Sequence, residues 1–145
     1  MNNKERYKMP VSVQILLFNE NGEVLLLKRK KTGFGDSKYG FIGGHVEKGE
    51  NVKKAIIREV NEEIGVEIAE NDLEFRNIMN RKVNQDVEYI DFIFIAKKWK
   101  GNIRNMEPEK CSELKWCSPN KLPSNILDFE KYIIDNKEVY LDFGW

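Results

Sequence analysis

Cysteine, histidine and proline are scarce in this sequence of 145 residues, and the shortages exclude several classes of protein. The two cysteines, Cys111 and Cys117, are too few for a disulfide scaffold and are not spaced as a CxxC motif. The one histidine, His45, excludes zinc sites built on several histidines, such as HExxH. A bound metal would therefore have mainly oxygen ligands, and the abundant carboxylates favour Mg²⁺ or Mn²⁺.

The sequence also lacks a charge surplus and a long hydrophobic run. Lys and Arg together number 24, as do Asp and Glu, which disfavours a protein that wraps nucleic acid or lies on a membrane through basic residues. Apolar stretches such as Ile90–Ala96 fall far short of the roughly 20 residues that a membrane helix needs. The N-terminal sequence MNNKERYKMP has no apolar signal core. We therefore expect a cytoplasmic protein with no membrane and no stable nucleic-acid partner.

The length suits one domain spanning residues 1–145, and 41% apolar residues supply a real core. Alternating and continuous apolar patterns predict several strands and two helices, which together indicate an α+β fold with a mixed sheet flanked by helices. The predicted strands are Val11–Phe18, Val24–Leu27, Leu73–Val83, Glu88–Lys98 and Leu114–Cys117, and the predicted helices are Asn51–Ile64 and Ser124–Asn136.

Three carboxylates share one face of the first predicted helix. Glu59, Glu62 and Glu63 are spaced i, i+3 and i+4, so they repel one another unless a cation binds between them. An acidic helix face is most often simply solvated. Here Gly43-Gly44 precedes the helix and allows close backbone approach to a ligand, while Arg58 is placed to orient a carboxylate. The combination favours a pyrophosphate–metal site.

Residues 44–66 resemble the signature of the Nudix (MutT-like) hydrolase family, G-x5-E-x7-R-E-U-x-E-E-x-G-U with U apolar. The seven fixed identities are all met; they are Gly44, Glu50, Arg58, Glu59, Glu62, Glu63 and Gly65. The likeness extends to Val11–Phe18, to LLLKRK before the loop, and to Trp116 with Leu122-Pro123. It implies an α/β/α sandwich with a mixed central sheet, in which this segment, the Nudix box, forms loop–helix–loop.

The resemblance also implies roles for individual residues. Glu59, Glu62 and Glu63 would bind the divalent cation, Mg²⁺ with Mn²⁺ as a substitute, and the carbonyl of Gly43 would complete the ligand set. Arg58 would orient a glutamate, with Glu50 as its structural partner. The implied reaction is attack by water on a phosphorus of a nucleoside diphosphate linked to a group X.

Residues outside the box have less specific roles. Some members of the family take the proton from water with a loop glutamate, and Glu107, Glu109 and Glu113 are the candidates here. We favour Glu113 because it directly precedes the Trp116 strand. Arg29 and His45 are candidate substrate contacts, although a solvated strand end and a loop histidine without a catalytic role are the alternatives.

The segment Asn105–Cys111, NMEPEKC, resembles the nucleotide-pyrophosphatase branch of the family. The proline and tyrosine that often mark ADP-ribose and diadenosine polyphosphate hydrolases are absent after the box, and no coenzyme A extension is recognisable. We therefore favour nucleoside triphosphates, including oxidised or otherwise modified ones. The alternatives are a nucleotide-sensing module without catalysis and an RNA 5′-end pyrophosphohydrolase. The sequence leaves open whether the protein forms a homodimer. It also leaves open whether the tail Phe143-Gly144-Trp145 packs on its own domain or across a dimer.

Overall fold

The structure is a computed structural model that describes residues 4–145, in which eight strands and two α-helices form. A short 3-10 helix, Glu70–Asp72, precedes the fifth strand. The elements in chain order are β1 (Val11–Leu17), β2 (Val24–Arg29), β3 (Tyr39–Gly40), β4 (Ile42–His45), α1 (Val52–Ile64), β5 (Glu74–Lys82), β6 (Glu88–Ala96), β7 (Cys111–Cys117), α2 (Asp128–Asp135) and β8 (Tyr140–Phe143).

Five strands form the predicted mixed sheet, in the order β4-β1-β6-β5-β8. The β1–β6 and β5–β8 pairs are parallel, whereas β4 and β5 run antiparallel to their partners β1 and β6. Side chains alternate between the two faces of a strand, so Ser12 and Gln14 of β1 lie on the face opposite Val13 and Ile15. This alternation places two polar side chains on one face of an otherwise apolar strand.

A second sheet, which the sequence did not predict, consists of β3, β2 and β7 in antiparallel pairs. Its central strand β2 is buried on both faces. Leu25 and Leu27 belong to the apolar cluster around α1, and Val24 and Leu26 belong to the cluster around α2. The second sheet thus connects the two halves of the core.

The helices cover opposite faces of the five-stranded sheet. Ile56, Val60 and Ile64 of α1 are fully buried against Val13 and its neighbours, as their helical spacing predicted. On the other face, Phe129 and Ile133 of α2 pack in the cluster that contains Met79 and Ile93. This arrangement confirms the predicted α/β/α sandwich.

Most element boundaries agree with the sequence prediction to within two residues, but two elements begin three or four residues away from their predicted start. The second helix spans Asp128–Asp135 rather than Ser124–Asn136, because the preceding residues pair with β3 instead: Tyr39 N–H donates to the Asn125 carbonyl and Leu127 N–H to the Tyr39 carbonyl. The predicted strand Leu114–Cys117 begins earlier, at Cys111, where it continues the pairing with β2.

The Nudix box begins in a strand rather than in a loop. Gly43 and Gly44 lie in β4, where they pair with Gln14 and Val13 of β1. The strand was not evident in the sequence because it is short and half of it is glycine, which has low strand propensity. The helical part of the box is α1, as predicted.

The C-terminal tail packs on its own chain. Phe143 ends β8 beside Arg81, and the indole Nε1 of Trp145 donates to the Asn80 carbonyl at 3.1 Å. The Lys82 ammonium lies 5.0 Å from the centre of the Trp145 ring. Neither helix in the described residues is long and apolar enough to span a membrane.

Candidate active site

A cavity of about 790 Å³ opens between α1, the five-stranded sheet and α2. Its lining combines most of the site residues predicted from the sequence. These are Arg29, Gly43, Gly44, His45, Arg58, Glu59, Glu62 and Glu63. Three predicted residues, Glu50, Gly65 and Glu113, lie outside the lining.

Helix α1 is held at both ends, which fixes its carboxylates relative to the sheet. Asn51 caps the first turn, since its Oδ1 accepts from the Lys54 N–H at 2.9 Å. Gly65 ends the helix in the left-handed conformation, with φ +72°, which favours glycine. The following loop is tied to the same end by Arg104 N–H and Met106 N–H, which donate to the carbonyls of Ile64 and Glu63.

Arg58 connects the carboxylates of the site. Its guanidinium donates to Glu50 at 2.7 and 3.1 Å, to Glu59 at 2.9 Å and to Glu62 at 3.3 Å. A further hydrogen bond of 3.0 Å reaches the carbonyl of His45 in β4. Arg58 therefore joins the helix to the strand and orients three carboxylates at once.

The two glycines of β4 allow the sheet to approach the helix closely. Gly43 N–H donates to the Glu63 carboxylate at 3.0 Å. A Cβ on Gly44 would lie 2.4 Å from the Glu59 carboxylate, and one on Gly43 would lie 2.2 Å from the Val13 carbonyl oxygen. Larger residues would thus push the Glu59 carboxylate away or separate β4 from β1.

Burial makes negative charge unfavourable at this end of the cavity. It raises the pKa of Glu63 well above its usual range, and the nearby charge of Glu59 adds to the effect. Burial also raises the pKa of Glu59, against the hydrogen bond from Arg58, which lowers it. A cation placed between the two carboxylates would offset both shifts.

The donor set fits a hard divalent cation. It consists of carboxylate oxygens on one helix face beside a glycine strand, and Mg²⁺ prefers such oxygen ligands. Within residues 4–145 no three His, Cys, Asp or Glu side chains are already arranged as a metal centre. Glu59 and Glu62 instead face the Arg58 guanidinium, so their oxygens would need to reorient to share a cation.

The family is shown by comparison with known proteins. The family model for the NUDIX domain matches residues 8–141. The chain belongs to the Nudix family. The match takes in the whole of the Nudix box and the strands on both sides of it.

Curated relatives and a solved structure agree with this assignment. A Bacillus subtilis protein named putative 8-oxo-dGTP diphosphatase is 31% identical over 75% of this chain and 66% of its own length. The ADP-ribose pyrophosphatase of Methanocaldococcus jannaschii is 30% identical over 82% of this chain and 68% of its own. The crystal structure of a MutT NUDIX hydrolase from Burkholderia pseudomallei aligns with a TM-score of 0.80 at 22% identity, covering 89% of this chain and 98% of that chain.

These similarities differ in how much of each protein they cover and in what they show about this chain. The alignment spans just under two thirds of the Bacillus protein, and the structural match at 22% identity shows the fold alone. The two curated names state different substrates, 8-oxo-dGTP and ADP-ribose. The substrate of this Nudix protein must therefore be argued from its own cavity.

The loop carboxylate that faces the Nudix box is Glu107 and not Glu113. Glu107 lines the cavity, and its charge contributes to the raised pKa values of both Glu59 and Glu63. Glu113 lies in β7 and accepts a hydrogen bond from the Tyr39 hydroxyl, on the side of the strand away from the cavity. The position of Glu113 next to Trp116 suggested a site residue, but β7 begins at Cys111 and turns its side chain away.

The two candidate substrate contacts both line the cavity. The Arg29 Nε donates to the Phe34 carbonyl at 2.7 Å, and the Arg29 guanidinium lies 5.4 Å from the Phe34 ring centre. His45 stacks on Tyr89 with ring centres 5.6 Å apart. Each side chain thus has a protein partner and still faces the cavity.

The α2 side of the cavity was missed in the sequence. There Glu130 and Gln14 are almost completely buried, and Arg81 forms an ion pair with the fully buried Asp91 at 2.7 Å. One signal was present: Gln14 and Asp91 are polar residues inside apolar strands. Their convergence with Glu130 depends on the β1–β6 pairing and on the position of α2, which the sequence does not show.

Proposed function

We propose that this protein is a pyrophosphohydrolase that acts on a nucleoside diphosphate linked to X, with nucleoside triphosphates as the substrate class. Water would attack a phosphorus atom of the α–β phosphoanhydride, the bridging P–O bond would break, and a nucleoside monophosphate and pyrophosphate would leave. The observation that carries the proposal is the set of three helix carboxylates, two held by Arg58 and the third by the Gly43 N–H, at one end of the cavity.

We propose Mg²⁺ as the metal, with Mn²⁺ as a substitute, held by Glu59, Glu62, Glu63 and the carbonyl of Gly43. When bound, such an ion neutralises phosphate charge and activates water. The protein's own part is to position these oxygens: Arg58 orients Glu59 and Glu62, and the Gly43 N–H orients Glu63. Glu50 serves as the structural partner of Arg58.

Glu107 is the proposed acceptor of the proton from the attacking water. It faces the same carboxylates from the loop, and its side chain is only about one third exposed (31%). Arg29 and His45 line the cavity and are proposed contacts of the substrate. We further propose that residues 1–145 form one domain that works in the cytoplasm without a stable nucleic-acid partner.

The test is pyrophosphate release from a panel of nucleoside triphosphates, modified triphosphates, ADP-ribose, dinucleoside polyphosphates and triphosphorylated RNA. Each substrate is assayed with Mg²⁺, with Mn²⁺ and with EDTA. We expect metal-dependent release from a triphosphate, and loss of orders of magnitude in rate for Glu59→Gln and Glu63→Gln. The exposed Glu138→Gln is the matched control.

Several results would contradict the proposal. Faster turnover of ADP-ribose or a dinucleoside polyphosphate than of any triphosphate would overturn the substrate class. A preference for triphosphorylated RNA would favour end processing instead. Binding of nucleotides without any turnover by a folded protein would favour a sensing module. Wild-type activity in Glu59→Gln or Glu63→Gln would remove the proposed metal site.

A further inference from the structure

The strand β8 forms one edge of the five-stranded sheet, and its outer side has free backbone hydrogen-bonding groups. It pairs only with β5, and no strand among residues 4–145 pairs with its other side. The Val139 carbonyl accepts from the Ile78 N–H of β5 at 2.8 Å, so alternate residues counted from Val139 face β5. The backbone N–H and C=O groups of Tyr140 and Asp142 therefore point outward, away from the sheet.

This edge lacks the features that usually keep sheet edges apart. Native proteins often protect an exposed edge with lysine or proline, and β8, with the sequence YLDF, contains neither. Two large apolar side chains are instead exposed along it, since Val139 is 66% exposed and Tyr140 is 58% exposed. Free backbone groups beside exposed apolar side chains favour pairing with another strand.

The side chains of the edge strand divide between the two faces of the sheet. Leu141 is buried in the apolar cluster around α2, together with its pairing partner Met79. Side chains alternate along a strand, so Tyr140 and Asp142 lie on the opposite face, and both are exposed. An added strand must match this division, because a shift by one residue would place buried side chains opposite exposed ones.

We propose that the protein forms a homodimer in which β8 of one copy pairs antiparallel with β8 of a second copy, across a two-fold axis at Leu141. Tyr140 of each copy then lies opposite Asp142 of the other, on the same face of the sheet. Both residues have outward backbone groups, so each such pair exchanges two hydrogen bonds. The two five-stranded sheets become one continuous sheet.

Charge favours this register over the other two that keep the faces aligned. With the axis at Asp142, its carboxylate would lie opposite that of the second copy. With the axis at Tyr140, Asp142 would lie opposite Glu138. Like charges directly opposite each other destabilise a sheet, whereas the axis at Leu141 places Asp142 opposite a tyrosine. In the single chain the Tyr140 hydroxyl reaches its own Asp142 carboxylate at 3.4 Å, which is long for a hydrogen bond between oxygens.

The same register covers the exposed apolar side chains. Val139 of each copy lies opposite Phe143 of the other, and Leu141 lies opposite Leu141. Tyr140 is diagonal to Tyr140 of the second copy, a separation that aromatic side chains can bridge. Because the paired segment is short, the interface belongs to the small and weak class, and we expect dimers to form at about 10–100 µM protein.

Sedimentation velocity over a concentration series from about 1 to 500 µM tests the proposal, with EDTA and without nucleotide. Tyr140→Asp places a carboxylate opposite Asp142 twice in each dimer, so we expect the dissociation constant to rise about 10-fold or more. The double variant Tyr140→Asp with Asp142→Lys makes both pairs opposite in charge and should return the dissociation constant to near the wild-type value. The exposed Tyr7→Asp is the matched control and should have no effect.

Cross-linking tests the position of the two-fold axis. Residues at the axis lie opposite their own copies, with Cα atoms about 4.5 Å apart, which a disulfide can span. Leu141→Cys should therefore form a disulfide-linked dimer under mild oxidation. Val139→Cys is more exposed, but it lies opposite Phe143 and far from its own copy, so it should remain largely unlinked. The native Cys111 and Cys117 are buried and serve as the background in both variants.

Three results would overturn the proposal. One is a monomer at every concentration, which would leave the edge to a strand of a different protein. Another is a dimer whose dissociation constant Tyr140→Asp does not change. The third is cross-linking of Val139→Cys in preference to Leu141→Cys. The charge variants alter only exposed side chains, so they keep the test decisive if Leu141→Cys fails to fold. Sedimentation and cross-linking need neither metal nor substrate, so the proposed dimer and the proposed hydrolysis stand or fail separately.

Discussion

Arg58 donates two hydrogen bonds to the two carboxylate oxygens of Glu50, at 2.7 and 3.1 Å. This bidentate pair uses the Nε and one terminal nitrogen of the guanidinium. The other terminal nitrogen is left to reach Glu59 and Glu62. Glu50 thus fixes the angle at which Arg58 presents itself to the carboxylates of the site, although it does not line the cavity itself.

We predict that Arg58→Lys lowers activity about 10- to 100-fold, the usual cost of losing a group that orients metal ligands. A lysine ammonium cannot form the planar two-point contact with Glu50 and also reach two further carboxylates. Glu50→Gln should have a similar effect, and the double variant should be little worse than either single one. The measurement is kcat/KM with saturating Mg²⁺; additive losses would show that the two residues act separately.

The two glycines of β4 should respond differently to alanine. In Gly44→Ala the new Cβ meets the movable Glu59 carboxylate, so we expect a folded protein with little activity. In Gly43→Ala the Cβ meets the backbone carbonyl of Val13, which cannot move without disturbing β1, so we expect a loss of about 3 kcal/mol in the free energy of unfolding. Urea denaturation and pyrophosphate release on both variants test the contrast; a stable Gly43→Ala would contradict it.

The loop carboxylates offer a matched pair of variants. Glu107→Gln should reduce kcat about 10²- to 10⁴-fold if Glu107 accepts the proton from water. Glu113→Gln should leave kcat close to that of the wild type, because Glu113 lies outside the cavity and bonds to Tyr39. Measured kcat values with one triphosphate decide the matter, and the reverse ranking would restore Glu113 as the catalytic candidate.

The Nudix box was predictable because its chemistry depends on spacing within one helix. Glu59, Glu62 and Glu63 face one way whatever the rest of the chain does, and the cap residues Asn51 and Gly65 are local signals. The sheet order could not be predicted in this way, since β1 pairs in parallel with β6, a strand far along the chain.

The α2 half of the cavity was hidden for the same reason. Glu130 appears in the sequence as one more acidic residue of a surface helix, and only the packing of α2 against Gly40 and Phe41 makes it fully buried.

Glu107 and Glu113 show most clearly what the sequence alone cannot predict about the site. Both are loop or strand-end glutamates in sequence, and only the folded chain shows that backbone hydrogen bonds of Arg104 and Met106 tie the loop just before Glu107 to the end of α1.

The buried ion pair of Arg81 and Asp91 should be important for stability. Arg81 donates to both oxygens of Asp91, at 2.7 and 3.1 Å, and its guanidinium lies 4.0 Å from the Phe129 ring centre. Arg81→Met leaves a buried carboxylate without its counter-charge, at an expected cost of about 3–5 kcal/mol in the free energy of unfolding. Adding Asp91→Asn removes that charge and should recover part of the loss. Urea denaturation tests this, and a neutral Arg81→Met would contradict it.

The raised pKa of Glu130, which is caused by burial, predicts a pH dependence of the free energy of unfolding that can be separated from that of the other glutamates. In the unfolded chain Glu130 ionises near its ordinary value of 4.5, but in the folded protein it keeps its proton until about pH 8. Between these values the folded state binds more protons than the unfolded state, so the free energy of unfolding falls as the pH rises. The contribution is on the order of 4 kcal/mol between pH 5 and pH 8.

Glu130→Gln removes this contribution, so the variant should gain stability relative to the wild type as the pH increases. Urea denaturation at pH 5, 6.5 and 8 measures the difference, with Glu138→Gln as the control. A constant difference between Glu130→Gln and the wild type over this range would show that Glu130 is ionised in the folded protein.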